Sequence, residues 1–378
     1  MSTATDRTSK TSLRQAGFSA SQKGRLQTRL LVWYANHARD LPWRRSRDPY
    51  RVWISEIMLQ QTQVATVRDY FERFVAAFPD VRKLAAADEQ QVLRLWEGLG
   101  YYRRARQLHA AAKVVAAEHD GRFPQCVDKL QALPGIGRYT AGAIASIAFD
   151  VRAPILEANT IRLLSRLVGY RDDPMKTAGQ RLLWQTATDL LPESAVAEFN
   201  QALMELGSLV CTPAEPKCDE CPLAKLCAAH AAGLQHLIPR PKIKQRFTDL
   251  HEVAVVIQKA GRVLMRQCGE GERWAGLWDF PRFAIEAEGP LFARKEIVAK
   301  VHEQTGVRCT LGPLLKTLKH GVTRYRITLD CYRATVASGQ AANKTDPKVR
   351  WVATGKLADL PLSTTGRKLA AIVEHGIS

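Results

Sequence analysis

Two carboxylates and four thiols are the groups most able to do chemistry in this chain. In DPYRVWISEIMLQQTQV, residues 48–64, a helix would place Val52 and Trp53 one turn before Glu56, and Leu59 and Gln60 one turn after it. A carboxyl pressed among apolar groups resists ionisation, because desolvation penalises its charged form. Such a group stays protonated near neutral pH and can serve as a general acid. The plain alternative is an exposed acid on a helix edge. In PILEANTIR, residues 154–162, Glu157 lies in an apolar run with Asn159 and Arg162 beyond it. It is either a helix-start acid favoured by the positive end of the dipole or half of a pair of catalytic carboxylates.

The thiols fall close together. Of eight cysteines, Cys211, Cys218, Cys221 and Cys227 lie within 17 residues, in CTPAEPKCDECPLAKLC, while Cys126, Cys268, Cys309 and Cys331 are scattered as inert thiols usually are. Four thiolates at this spacing can enclose an iron-sulfur cubane or a tetrahedral zinc. Zinc ribbons usually pair two short Cys-x2-Cys units and this run has one, so spacing favours iron-sulfur and leaves zinc open. A reducing compartment fits.

A third signal is LPGIGRYTAGAIASIAF, residues 133–149, where Gly135 and Gly137 precede a small-residue helix. The glycines permit a tight turn with backbone N–H groups bared at a helix start, which suits a phosphate. An ordinary helix–helix corner would look the same in isolation. The net charge of +18 argues for a polyanionic partner, nucleic acid above all, though a merely basic surface is the alternative. In GLGYYRRAR, residues 98–106, aromatics interleave with cations, a composition that suits stacking on bases and contact with phosphates.

These groups need elements to position them. A chain of 378 residues with 46% hydrophobic content suits two domains. Residues 1–23 read as a polar, disordered lead-in without a secretory signal's apolar core. Residues 24–238 read as almost entirely helical, with short Pro, Gly and Asp breaks. Residues 239–249 read as a basic linker. From 250 to 378 the texture becomes α+β: HEVAVVIQKAGRVLMRQ reads as two strands about a Lys-Ala-Gly turn, TRYRITLDCYRATV as another strand, and 291–305 as a helix. No run approaches a membrane span.

The cysteine spacing in a helical domain resembles the helix-hairpin-helix DNA glycosylases of the endonuclease III superfamily, where it holds a 4Fe-4S cluster. LPWR, PYRVWISEIMLQQT, WEGLGYYRRARQLH, LPGIGRYTAGA and the four-cysteine run, in that order, are similar to the MutY-type adenine DNA glycosylases. The resemblance covers residues 25–238 and continues more weakly to the end. It implies excision of adenine mispaired with 8-oxoguanine or guanine in double-stranded DNA, by a cytoplasmic monomer (nucleoid-associated if bacterial). Glu56 takes the place of the catalytic acid and Tyr139 that of an active-site tyrosine. Where lyase members of the superfamily have a nucleophilic lysine this chain has Tyr139, and a phenol cannot form a Schiff base, so no strand-cutting step is expected. Glu157 and Asn159 fall on an Asp-Gly-Asn segment of the family: the acid is kept with an arm one methylene longer. Trp43 and Arg44 are assigned to the adenine pocket, and Gln60, Gln61, Thr62, Tyr102 and Arg103 to DNA contact, with Gln61 and Tyr102 as wedges into the duplex.

The resemblance extends to a Nudix-like C-terminal domain that recognises the lesion. GLWDFP is similar to it, but AKVHEQTGV, residues 299–307, keeps only Glu303 and Gly306 of the Nudix metal-binding helix, which implies recognition without pyrophosphate hydrolysis. The family's lesion-reading Phe-Ser-His is replaced by Val322-Thr323-Arg324 after His320. Competing readings are a glycosylase for thymine opposite guanine and a catalytically weak DNA-binding scaffold.

Overall fold

The computed structural model describes residues 17–240, 246–286, 289–338 and 348–375. The expected lead-in lies mostly outside the described residues. The first helix, α1 (Ala20–His37), begins at the capping box of Ser19 and Gln22, so residues 20–23 are helical. The middle of the expected linker, 241–245, is likewise outside the described residues.

Compactness divides the chain differently from its texture. One unit takes residues 1–60 and 119–242; the other takes 61–118 together with 243–378. Among its described residues the first unit is built from α1, α2 (Pro49–Leu59), α7 (Val127–Gln131), α8 (Arg138–Phe149), α9 (Ala158–Val168), α10 (Thr177–Leu190), α11 (Val196–Leu209) and α12 (Ala228–Ala231). Its core gathers Leu26 and Leu30 of α1, Leu163 and Leu167 of α9, and Phe199, Leu203 and Leu206 of α11. These recur at three- and four-residue intervals, the spacing of a buried helical face. Around this core α8 packs on α2, and α11 on α1, α8 and α9.

The second unit contains α3 (Val64–Ala77), α4 (Val81–Ala86), α5 (Glu89–Trp96) and α6 (Arg103–Glu118), knit by Phe74 meeting the rings of Phe78 and Trp96 edge-on. Its sheet comprises β1 (Thr248–Lys259), β2 (Arg262–Gln267), β3 (Trp278–Asp279), β4 (Arg282–Ala284), β5 (Arg308–Val322), β6 (Tyr325–Ser338) and β7 (Val349–Ala353), with α13 (Pro290–Thr305) and α14 (Thr364–Glu374). The main path runs β3-β2-β1-β6-β5, with β4 on β1 and β7 on β2. β1 and β6 are parallel; the other pairings are antiparallel. Alternation along β1 sends Ala254 and Val256 to the core shared with Leu369 and Val373 of α14. Val253, Val255 and Ile257 face Ile297 and Val301 of α13. The α+β reading of this region holds, and the Lys-Ala-Gly turn joins β1 to β2 with Ala260 and Gly261 both at positive φ.

Candidate active site

Asp48 caps α2 by accepting from the Tyr50 amide at 3.0 Å, and Pro49 opens the helix. Nearly every side chain from Tyr50 to Met58 is buried, and Glu56 is among them at 5% exposure. Burial lifts its carboxyl from an ordinary 4.5 to about 7. A hydrogen bond from Tyr139 opposes that shift, the charge of Glu157 adds to it, and Arg44 opposes it. Tyr139, in the first turn of α8, donates its hydroxyl to Glu56 Oε2 and stands 3.4 Å from Met204 Sδ of α11. Burial first, and then the two carboxylates, hold the Tyr139 phenol well above its usual range. The phenol is therefore a donor to Glu56 and not a base.

Glu157 is the N-cap of α9. Its Oε2 accepts from the Asn159 amide at 2.8 Å and Asn159 Nδ2 at 3.3 Å, and its Oε1 accepts from the Thr160 amide at 2.9 Å. Thr160 returns the contact by accepting from the Glu157 amide at 2.7 Å. The longer arm is thus folded back onto its own helix. Burial still raises its pKa, outweighing the Asn159 and Thr160 hydrogen bonds and Arg162, which lower it. Glu157 thus caps α9, and its charge also adds to the upward shift of the Glu56 carboxyl. Asn159 is fixed by Arg162, whose Nη2 donates to Asn159 Oδ1 at 2.9 Å and to the Gly207 carbonyl at 2.7 Å.

Two further glycines allow this arrangement. A Cβ on Gly142 of α8 would lie 2.3 Å from the Pro154 carbonyl, and one on Gly207 of α11 would lie 2.8 Å from Asn159 Cβ. Close backbone approach, not unusual φ, is what demands glycine at both. Glu205 of α11 also escaped the sequence reading. It is fully buried, and its Oε2 accepts from Arg44 Nη2 at 2.8 Å while Arg39 Nε donates to Oε1 at 2.6 Å. Burial alone would raise its pKa; the two guanidiniums outweigh it and bring it to about 2. Arg44 is therefore held in place beside a buried Trp43. An acid placed three residues before Ser208 in an apolar helix was the only available signal.

In the hairpin turn Gly135 takes φ +73°, and Gly137, the N-cap of α8, has open space where a Cβ would stand. The first amides of α8 are thus approachable by an anion. Gln60 Nε2 donates to Thr140 Oγ1 at 3.4 Å, and Gln61 adopts φ +58° on the surface. Within the second unit, Thr62 Oγ1 accepts from Arg104 at 3.4 Å and Arg103 is exposed. For Tyr102 the structure corrects the sequence reading. Its ring is 7% exposed and its hydroxyl donates to the Leu362 carbonyl, whereas its neighbour Tyr101 is 50% exposed with φ +49°. Tyr101 is the aromatic this turn offers to solvent.

In the C-terminal part, Val322 and Tyr325 close a two-residue hairpin with Thr323 at φ +51°. That is a costly backbone for a β-branched residue. Thr323 and Arg324 are exposed at its tip, and Arg324 lies over the Tyr325 ring at 5.2 Å. His320 packs near Trp274 and its Nε2 is 3.3 Å from Arg282 Nη2, with burial and Arg282 lowering its pKa.

The four clustered thiols line one pocket with Arg166 and Leu163 of α9. Arg166, 2% exposed, donates to Cys211 Sγ at 3.2 Å and to the Thr212, Pro213 and Ile238 carbonyls, tying the loop to α9. Among the described residues no three His, Cys, Asp or Glu side chains form a group suited to one metal ion. Burial pushes the Cys221 thiol up to about 12, and the charges of the other three add to that. Ionised together, these thiols would repel one another, and a positively charged metal centre would relieve that repulsion.

Residues 54–188 match the HhH-GPD superfamily of base excision DNA repair proteins, and residues 252–371 match the NUDIX domain. Over 92% of its length the chain is 32% identical to an adenine DNA glycosylase of Rattus norvegicus, covering 77% of that protein. It is 34% identical to one of Mus musculus over the same share of the chain, covering 78% of that protein. Among solved structures, a thermostable thymine-DNA glycosylase superposes with a TM-score of 0.51 at 28% identity, over 57% of this chain and 100% of that one. That likeness takes in little more than half of the chain, whereas similarity to the adenine enzymes runs through both the buried acids and the β-sheet. On this breadth the chain belongs to the adenine DNA glycosylases, base excision repair enzymes that remove adenine from DNA.

Proposed function

We propose that this enzyme acts on duplexes in which adenine is mispaired with guanine or 8-oxoguanine, hydrolysing the N-glycosidic bond without cutting the strand. The observation that carries the reading is the Tyr139–Glu56 hydrogen bond in a buried site that also feels Glu157. The adenine must first leave the base stack, since its bond is unreachable inside a duplex. Glu56, protonated below about pH 7, then donates its proton to N7 of the base. The C1′–N9 electron pair departs with adenine and leaves an oxocarbenium-like sugar. Glu157 supports that positive charge. Glu56, now a carboxylate, takes a proton from the water that attacks C1′ and is thereby reset. Tyr139 supplies no amine, so no Schiff base forms and the product is an abasic site.

Cys211, Cys218, Cys221 and Cys227 would hold a 4Fe-4S cluster. When bound, the cluster would supply a structural tie and no acid-base chemistry. The reduced thiols it requires suit a cytoplasmic location. Single-turnover excision from duplexes with A opposite 8-oxoguanine, A opposite G and T opposite G tests the reading. Release faster on the first two, and abolished in Glu56→Gln, is expected; faster release of thymine would favour the mismatch-thymine alternative. A purified protein lacking visible sulfur-to-iron absorbance but containing zinc would overturn the cluster assignment.

A further inference from the structure

The turn from Glu97 to Tyr102 is held in an unfavourable backbone. Gly98 has φ +99°, Gly100 +70° and Tyr101 +49°, and a side chain at Gly98 would collide with the Tyr70 hydroxyl. A tyrosine in the left-handed region is unfavourable and persists only where its surroundings over-determine it. Part of that restraint is local. Trp96 Nε1 donates to the Gly100 carbonyl at 3.1 Å, and Arg104 Nη2 donates to the carbonyls of Leu99 at 3.2 Å and Gly100 at 3.3 Å.

The rest comes from residues more than two hundred positions away in the same compact unit. Glu97, with a side chain 10% exposed, accepts from Arg367 Nε at 2.7 Å and Nη2 at 2.9 Å, and from the Leu362 amide at 3.1 Å. Arg367, on α14, also donates to the carbonyls of Leu357 at 2.8 Å and Leu360 at 2.6 Å, so the strap from 357 to 362 and the turn share one guanidinium. At the turn's other end the Tyr102 hydroxyl joins the Gly98 amide to the Leu362 carbonyl, both at 3.4 Å. Nearby, Gln90 of α5 accepts from Trp278 Nε1 at 2.9 Å and donates to the Gly276 carbonyl at 3.1 Å.

We propose that Glu97 and Arg367 are positioning residues through which the C-terminal α+β part fixes this turn, so that Tyr101, in the wedge role expected of its neighbour Tyr102, keeps its exposed ring poised to stack on a base as adenine is extruded. The two residues touch neither base nor sugar; they act through the turn. A planar, two-pronged guanidinium–carboxylate pair whose carboxylate is little exposed suits that task, since it fixes orientation as well as distance. This inference rests on the adenine-excision reading above, and its test separates the two.

The test uses the full-length enzyme and its Glu97→Gln, Arg367→Met and Tyr101→Ala variants, each checked for unchanged far-ultraviolet dichroism. A duplex carrying 2-aminopurine beside the target adenine reports extrusion, and single-turnover excision is compared between adenine opposite guanine and adenine opposite an abasic analogue, where unstacking is cheap. Positioning predicts that Glu97→Gln and Arg367→Met, like Tyr101→Ala, lower the fluorescence rise and cut excision opposite guanine about tenfold. Opposite the abasic analogue they should cost less than about twofold. The double variant of Glu97 and Arg367 should lose little more than either alone, because one contact is removed twice. Equal losses on both substrates, or unchanged fluorescence in the Glu97 and Arg367 variants while Tyr101→Ala is impaired, would overturn the proposal and leave the excision reading standing. An unimpaired Tyr101→Ala would remove the stacking role on which it rests.

Discussion

At the scale of single residues the site is an acid whose ionisation is set by its neighbours. Glu56 must be protonated to donate, so single-turnover excision should fall as pH rises through about 7, the value to which burial brings it. The Tyr139 hydrogen bond lowers that value. Tyr139→Phe should therefore move the alkaline limb to higher pH even if the maximal rate drops, a shift that a pH–rate profile reads directly. The same burial has a cost to stability, and its sign follows from proton linkage. The folded state holds the Glu56 proton more tightly than the unfolded chain, where the ordinary value is 4.5. Stability is fully retained below that value and is lost progressively as pH rises towards 7, by roughly 3 kcal/mol. Glu56→Gln removes the titrating group. Its melting temperature should exceed the parent's at pH 8, and the difference should shrink towards pH 5; a gap independent of pH would contradict the assignment. Glu56 was legible in the sequence because helical periodicity announces a buried acid. Tyr101 was not. Which of two adjacent tyrosines points outward depends on the φ signs of Gly98, Gly100 and Tyr101, and an aperiodic turn gives no phase from which to read them.

At the scale of elements, α9 joins cap and charge in one side chain. Glu157 satisfies the amides of Asn159 and Thr160, and its charge acts on Glu56. Substitutions can separate the two roles. Glu157→Gln keeps a capping oxygen and removes the charge, so stability should change by less than about 0.5 kcal/mol while excision falls about a hundredfold. Glu157→Ala removes both and should cost a further ~1 kcal/mol of stability. Glu157→Asp restores a preferred cap with a shorter arm and should retain both stability and excision. Chemical denaturation and single-turnover kinetics on the three variants would check this. If Glu157→Gln is as active as the parent, the residue is only a cap. The small-residue pattern of α8 foretold a helix, but what Gly142 approaches could not be read. The Pro154 carbonyl that demands it belongs to a segment whose packing is settled in three dimensions.

At the scale of the whole molecule, texture along the chain marked where helices give way to strands, and the sheet confirmed it. It did not reveal that helices 61–118 would associate with 243–378. The bonds responsible, such as Gln90 with Trp278 and Glu97 with Arg367, join residues too far apart in sequence for any local pattern to couple them. The charge balance, by contrast, is a property of the sum and was fully visible. A net +18 on 378 residues makes phosphate contact and counterion release the main term in binding undamaged DNA. If about six phosphates are engaged, affinity for a duplex without a mispair should fall by about a thousandfold between ~50 and ~200 mM salt. The chemical step is different: Glu56 is buried and its partners Tyr139 and Glu157 are partly buried, where mobile ions screen poorly. Single-turnover excision at saturating enzyme should then vary less than about twofold over the same salt range. Fluorescence anisotropy for binding and quenched-flow excision for chemistry would measure the two separately. A rate constant that falls in parallel with affinity, at full saturation, would mean that the exposed cations take part in the chemical step as well as in holding the duplex.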